Sequence, residues 1–125
     1  MAQEKLVEKL SQLTPKVLDQ IEMLNLFALI QRDDQENWDL VVSSGTFVGK
    51  EKDFLKKFVE LLQGNLTNDE LRSIARVVLL KPENPIVRNI NQIGVRGGTV
   101  TVENSSFNKM LIRKMHLFYS ARSKK

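Results

Sequence analysis

The apolar residues of this chain change period near Asn25, and that change ties the chain to a fold containing both helices and a sheet. Before it, Leu6, Leu10, Leu13, Val17, Ile21 and Leu24 recur at spacings of 4, 3, 4, 4 and 3, the stripe of one helical face. Thr14-Pro15 interrupts the stripe. The pair predicts either two helices, with Thr14 as cap and Pro15 in the first turn of the second, or one kinked helix, ending near Asn25. After it come two apolar runs, 26–32 and 38–43, separated by the polar residues 33–37. That spacing predicts a hairpin, and Trp38, Val41 and Val42 suit a strand by shape.

Further along, residues 50–63 carry Phe54, Leu55, Phe58, Leu61 and Leu62 on one broad face, with Gly64 as C-terminal cap. Thr67-Asn68-Asp69-Glu70 has capping-box spacing and predicts a short helix. Residues 75–80 read as a buried strand stopped by Lys81-Pro82. Asn84-Pro85 opens a short helix to about Asn91, with Ile86, Val87, Ile90 and Ile93 as its apolar side. Gly94, Gly97 and Gly98 mark a turn, 99–103 a strand, and Asn104-Ser105-Ser106 a second turn. Residues 109–120 read as a long or broken strand, with Met110, Ile112 and Phe118 sharing a face; a terminal helix is the alternative.

The fold class these elements predict is α+β: N-terminal helices packed on a mostly antiparallel, or mixed, sheet. The 125 residues suit one domain, assigned to 1–120, with 121–125 a frayed basic tail. The N-terminal stripe has two outlets: packing on the sheet, or an intermolecular helix pair too short for an independent coiled coil.

Composition excludes several chemistries. Absence of cysteine removes disulfides, thiolate metal sites, redox pairs and a cysteine nucleophile. The hydrophilic first residues lack the apolar core of a signal peptide, and the longest apolar run, 26–30, is far below membrane-spanning length. A soluble, cytoplasmic protein with no membrane partner is the expectation. Asn65-Leu66-Thr67 and Asn104-Ser105-Ser106 then read as turn chemistry, not glycosylation sites.

Motifs are few. Gly45-Thr46-Phe47-Val48-Gly49-Lys50 precedes a predicted helix as a phosphate loop would, but its glycines are one residue too close. Glu51 stands where the magnesium-binding hydroxyl belongs, so a turn feeding the helix is the better account. Asp33, Asp34, Glu36 and Asp39 lack the glycine of a calcium loop and read as a solvated hairpin tip. His116, the sole histidine, cannot build a histidine-rich metal centre, and no Gly-x-Ser-x-Gly elbow accompanies it. A partly buried, hydrogen-bonded side chain accounts for it. No cofactor, catalytic residue or metal ligand is expected, and the motifs point to no known family.

Charge is the remaining signal. Residues 1–85 carry 11 Lys/Arg and 14 Asp/Glu, a net −3, whereas 86–125 carry 8 Lys/Arg and 1 acid, a net +7. Nucleic-acid or anion contacts would therefore fall on Lys50, Arg96, Lys109, Arg113, Lys114 and Arg122, with Phe107, Phe118 and Tyr119 as stacking surfaces. The leading expectation is a non-enzymatic interaction or regulatory module that self-associates, partnering itself or another protein. Nucleic-acid binding through the basic third is the alternative. Action on a phosphorylated small molecule through Lys50, Arg96 or His116 is the second.

Overall fold

The computed structural model describes residues 2–21, 24–34, 36–45, 49–91, 100–107 and 110–120. Its elements in chain order are α1 (Ala2–Gln20), β1 (Leu24–Arg32), β2 (Trp38–Ser44), α2 (Glu51–Gln63), α3 (Asn68–Arg72), β3 (Ile74–Leu80), α4 (Pro85–Asn91), β4 (Val100–Phe107) and β5 (Met110–Ser120). The strands form one five-stranded sheet in the order β3-β2-β1-β5-β4. β1 runs antiparallel to both β2 and β5, β5 antiparallel to β4, and β2 parallel to β3. The α+β class holds, and the sheet is mixed.

One helix occupies the N-terminal segment. Pro15 lies inside α1, and Thr14 does not cap: its hydroxyl donates to the Leu10 carbonyl at 3.0 Å, a bond made from within a helix. The stripe explains the continuity, because Leu6, Leu10, Leu13 and Val17 are all buried against the sheet and exposed Pro15 faces away. The helix stops at Gln20 and not near Asn25. Leu24 belongs to β1 and pairs with Ser44, yet it joins the same buried cluster as the stripe, which is why it kept helical phase in the sequence.

Each face of the sheet has its own core. On one, Phe27, Leu29, Trp38, Leu40, Val42 and Phe118 pack against the α1 stripe and against Phe58 and Leu62 of α2. On the other, Leu26, Ala28, Ile30, Val41, Ile112, Met115 and Leu117 meet Val87 and Ile90 of α4. β1 serves both cores, so its residues 26–30 are apolar without alternation, as a strand covered on two sides requires.

The caps follow the sequence closely. Thr67 and Glu70 form the expected capping box, Glu70 accepting from the Thr67 amide at 2.8 Å and Thr67 Oγ1 from the Glu70 amide at 3.2 Å. Such a cap contributes about 1 kcal/mol. Glu70 is buried and also takes Lys9 Nζ at 3.0 Å, tying α3 to α1. Burial pushes its carboxyl pKa up, but the Thr67 amide and the Lys9 ammonium together outweigh this and leave it lowered. At α4, Asn84 Oδ1 accepts from the Ile86 amide at 2.9 Å around Pro85 in the first helical position.

Three strand expectations need correction. β3 is not a buried strand: it lies at the sheet edge, with Ala75 and Arg76 exposed and Val77 to Leu80 half-buried. The 104–106 turn does not form, because β4 continues to Phe107 along β5, with Asn104 absorbing a local irregularity at φ +51°. β5 is a strand, but Ile112 and Phe118 lie in different cores, and Tyr119 joins Phe118 in one. Register shifts against β1, at Phe27/Ala28 and Gln31/Arg32, break the period of two in both places. The Gly94–Gly98 turn and the 121–125 tail lie outside the described residues.

Candidate functional site

Among the described residues, the basic side chains singled out from sequence do not gather in one place. Lys50 is exposed at the N-cap of α2, just beyond the Ser44 end of β2, after Gly49 turns the chain at φ +80°. Arg113 and Lys114 sit at the opposite end of the sheet. There Arg113 Nη2 donates to the Asp33 carbonyl at 2.7 Å, and Lys114 Nζ lies 3.6 Å from Glu103 Oε2. Arg96, Lys109 and Arg122 lie outside the described residues. The first turn of α2 carries Glu51 and Asp53, whose charge repels a phosphate, so its N-terminus makes a poor anion site.

The acidic hairpin tip divides. Asp33, Asp34 and Glu36 are exposed, whereas Asp39 is a buried β2 residue and not part of a solvated tip. Arg76 of β3 grips it with two bonds, Nε to Oδ1 at 3.2 Å and Nη2 to Oδ2 at 3.3 Å, and Arg32 of β1 approaches to 3.6 Å. This triad stitches three strands together. Its geometry is that of a structural clamp, since each carboxylate oxygen already faces a guanidinium. Among the described residues no three His, Asp or Glu side chains converge as a metal site.

His116 lies on β5, on the face of the sheet that α1 and α2 cover. Its ring tilts against Trp38 at 5.3 Å, and Nδ1 shares a hydrogen bond with Thr101 Oγ1 on neighbouring β4 at 3.0 Å. Nε2 is buried with no partner. Protonation would make both ring nitrogens donors and leave a buried N–H unpaired. Burial, and then the nearby Lys114 ammonium, lower the pKa against a smaller opposing pull from Glu103.

The sign of the resulting pH effect is fixed. Between the lowered folded pKa and the unfolded value near 6.5, the unfolded chain binds more protons. The stability is therefore complete above about pH 6.5 and declines as pH falls through that window. Urea melts from pH 8 to pH 5 should trace this decline, and His116→Gln should flatten it. Equal slopes in the two proteins would rule out His116 as the source.

Two further features remain. A groove of about 210 Å³ is lined by Lys9, Gln12, Leu13, Lys16 and Asn65, below the roughly 300 Å³ at which ligand pockets begin. Both lysines there are engaged, Lys9 with Glu70 and Lys16 with Asn65 at 3.4 Å. The second is the outer edge of β3, Ile74-Ala75-Arg76-Val77-Val78-Leu79-Leu80, which among the described residues has a strand neighbour on one side only. The opposite edge, β4, is protected by its polar residues, Thr101 and Glu103 to Ser106, and by the positive φ of Asn104. β3 has no acid, no proline and one charge, which Asp39 draws inward toward β2.

The sequence alone does not show an edge of this kind, because six apolar residues in seven read as a buried strand. The only signal was Arg76 within it.

No family model matches the chain, and comparison with curated proteins and with solved structures yields no counterpart. No described helix is long and apolar enough to cross a membrane.

Proposed function

We propose that this protein is a non-enzymatic interaction module that binds a protein partner along the edge of its sheet. The observation that carries this reading is the β3 edge: four consecutive apolar residues, Val77 to Leu80, half-exposed on a strand that no other described strand pairs on its outer side. Exposed edges of this length and hydrophobicity attract another strand, and natural proteins ordinarily blunt them. Strand addition takes affinity from main-chain hydrogen bonds and specificity from alternate side chains. β3 offers both. Val77 and Leu79 project to the helical face, Val78 and Leu80 to the α4 face.

The test is photo-crosslinking in cells, with p-benzoylphenylalanine in place of Ala75, which is exposed on β3. A discrete adduct is expected from position 75 and not from Gln12, exposed on α1. Equal background from both positions would overturn the reading.

A further inference from the structure

We infer that the partner at this edge is a second copy of the chain, with β3 pairing antiparallel to β3 and two sheets becoming one; this rests on the interaction reading above. The strand is complementary to itself. A twofold axis through Val77 sets Ile74 opposite Leu80, Ala75 opposite Leu79 and Arg76 opposite Val78. No charge lies directly across from its like, and each Arg76 keeps its own Asp39 as partner.

A second layer agrees with the same axis. α2 bridges β2 to the parallel β3, a crossover that is right-handed in about 98% of cases. Phe58 and Leu62 are its core-facing row. Following the winding of the helix from that row, the next residues are Leu55 and Val59, and in a right-handed crossover they turn toward the open side of β3. Neither belongs to a buried cluster, and Leu55 is 37% exposed.

A twofold axis perpendicular to the sheet leaves both copies of α2 on the same face, antiparallel across the seam. The Leu55–Val59 rows of the two copies then face each other. Lys56 and Glu60, both exposed on the outer side of that row, bring opposite charges to the seam. One operator thus pairs the strands, covers the helix row and matches the charges, which is the signature of an isologous interface. The β4 edge offers none of these.

Sedimentation velocity over about 1 to 200 µM should give a concentration-dependent dimer. Hydrogen exchange should give 74–80 extra protection that appears with the dimer. Leu55→Arg with Val59→Arg alters outward positions and should weaken association by more than about tenfold while leaving circular dichroism unchanged. Lys56→Glu should also weaken it, and adding Glu60→Lys should restore it. A wild-type monomer at the highest concentration overturns the proposal, as does a dimer indifferent to these variants with β3 unprotected. A monomer that still gives a position-75 adduct with a different protein overturns self-pairing alone. A monomer without any adduct overturns the interaction reading too.

Discussion

Phe27→Ala is expected to cost about 3–5 kcal/mol, a large share of the 5–15 kcal/mol that typically holds a domain folded. Phe27 is fully buried at the centre of the helical core. Its ring meets Phe58 edge-on at 5.9 Å and Phe118 at 5.2 Å, so it joins α2 and β5 through the middle strand. Truncation opens a cavity between elements from three separate parts of the chain. Neither neighbour can collapse into that space without moving an element the sheet holds in register. Phe27→Leu, which fills more of the volume, should cost markedly less. Urea melts measure both, and a shift in midpoint below about 0.5 M for the alanine variant would contradict this account of the core.

The second large effect is asymmetric. Replacing Arg32 and Arg76 together by Met should cost about 3–5 kcal/mol, because it leaves the Asp39 carboxylate buried with no cation. Asp39→Leu alone should cost less, since both guanidinium groups are partly exposed and can regain water. The triple variant, with all three charges replaced, should recover most of what the double variant loses. That ordering distinguishes the penalty of an orphaned charge from the worth of the triad. If the double variant loses under about 1 kcal/mol, Asp39 does not depend on its arginines.

Much of the fold was legible because it is written in local signals. The α1 stripe, the Thr67–Glu70 box, Asn84-Pro85 at α4 and the polar tip between β1 and β2 each declare themselves within a few residues. What escaped depends on distant partners. Leu24 kept helical phase while lying in a strand, because the two elements feed one core. Residues 74–80 read as interior, since nothing local says that a strand pairs on one side only and runs parallel. Ile112 changed face through a register shift dictated by β1, and the 104–106 turn was lost because β5 continues the ladder past it.

The candidate site followed the same rule. His116 was read as a buried, hydrogen-bonded side chain, and it is one, but Thr101 and Trp38 as its neighbours come from other strands. Asp39 looked like its acidic neighbours in sequence and differs from them only because Arg76 lies 37 residues away in the chain. The basic third was a compositional signal. Composition carries no geometry: Arg113 and Lys114 sit at one end of the sheet beside Asp33 and Glu103, and Lys50, from the acidic part of the chain, lies at the other.

The position of β1 has a consequence during synthesis. One of its edges is paired by β2 almost at once, but the other waits for β5, with Phe27 matched to Tyr119. At about 5–20 residues per second, the residues between β1 and β5 take roughly 4–16 s to emerge. Throughout that interval Leu26 to Ile30 presents an apolar strand with one side open in the nascent chain. The sheet is therefore sealed late and from its middle. Until then the growing polypeptide has only β2 and the α1 stripe to cover that strand.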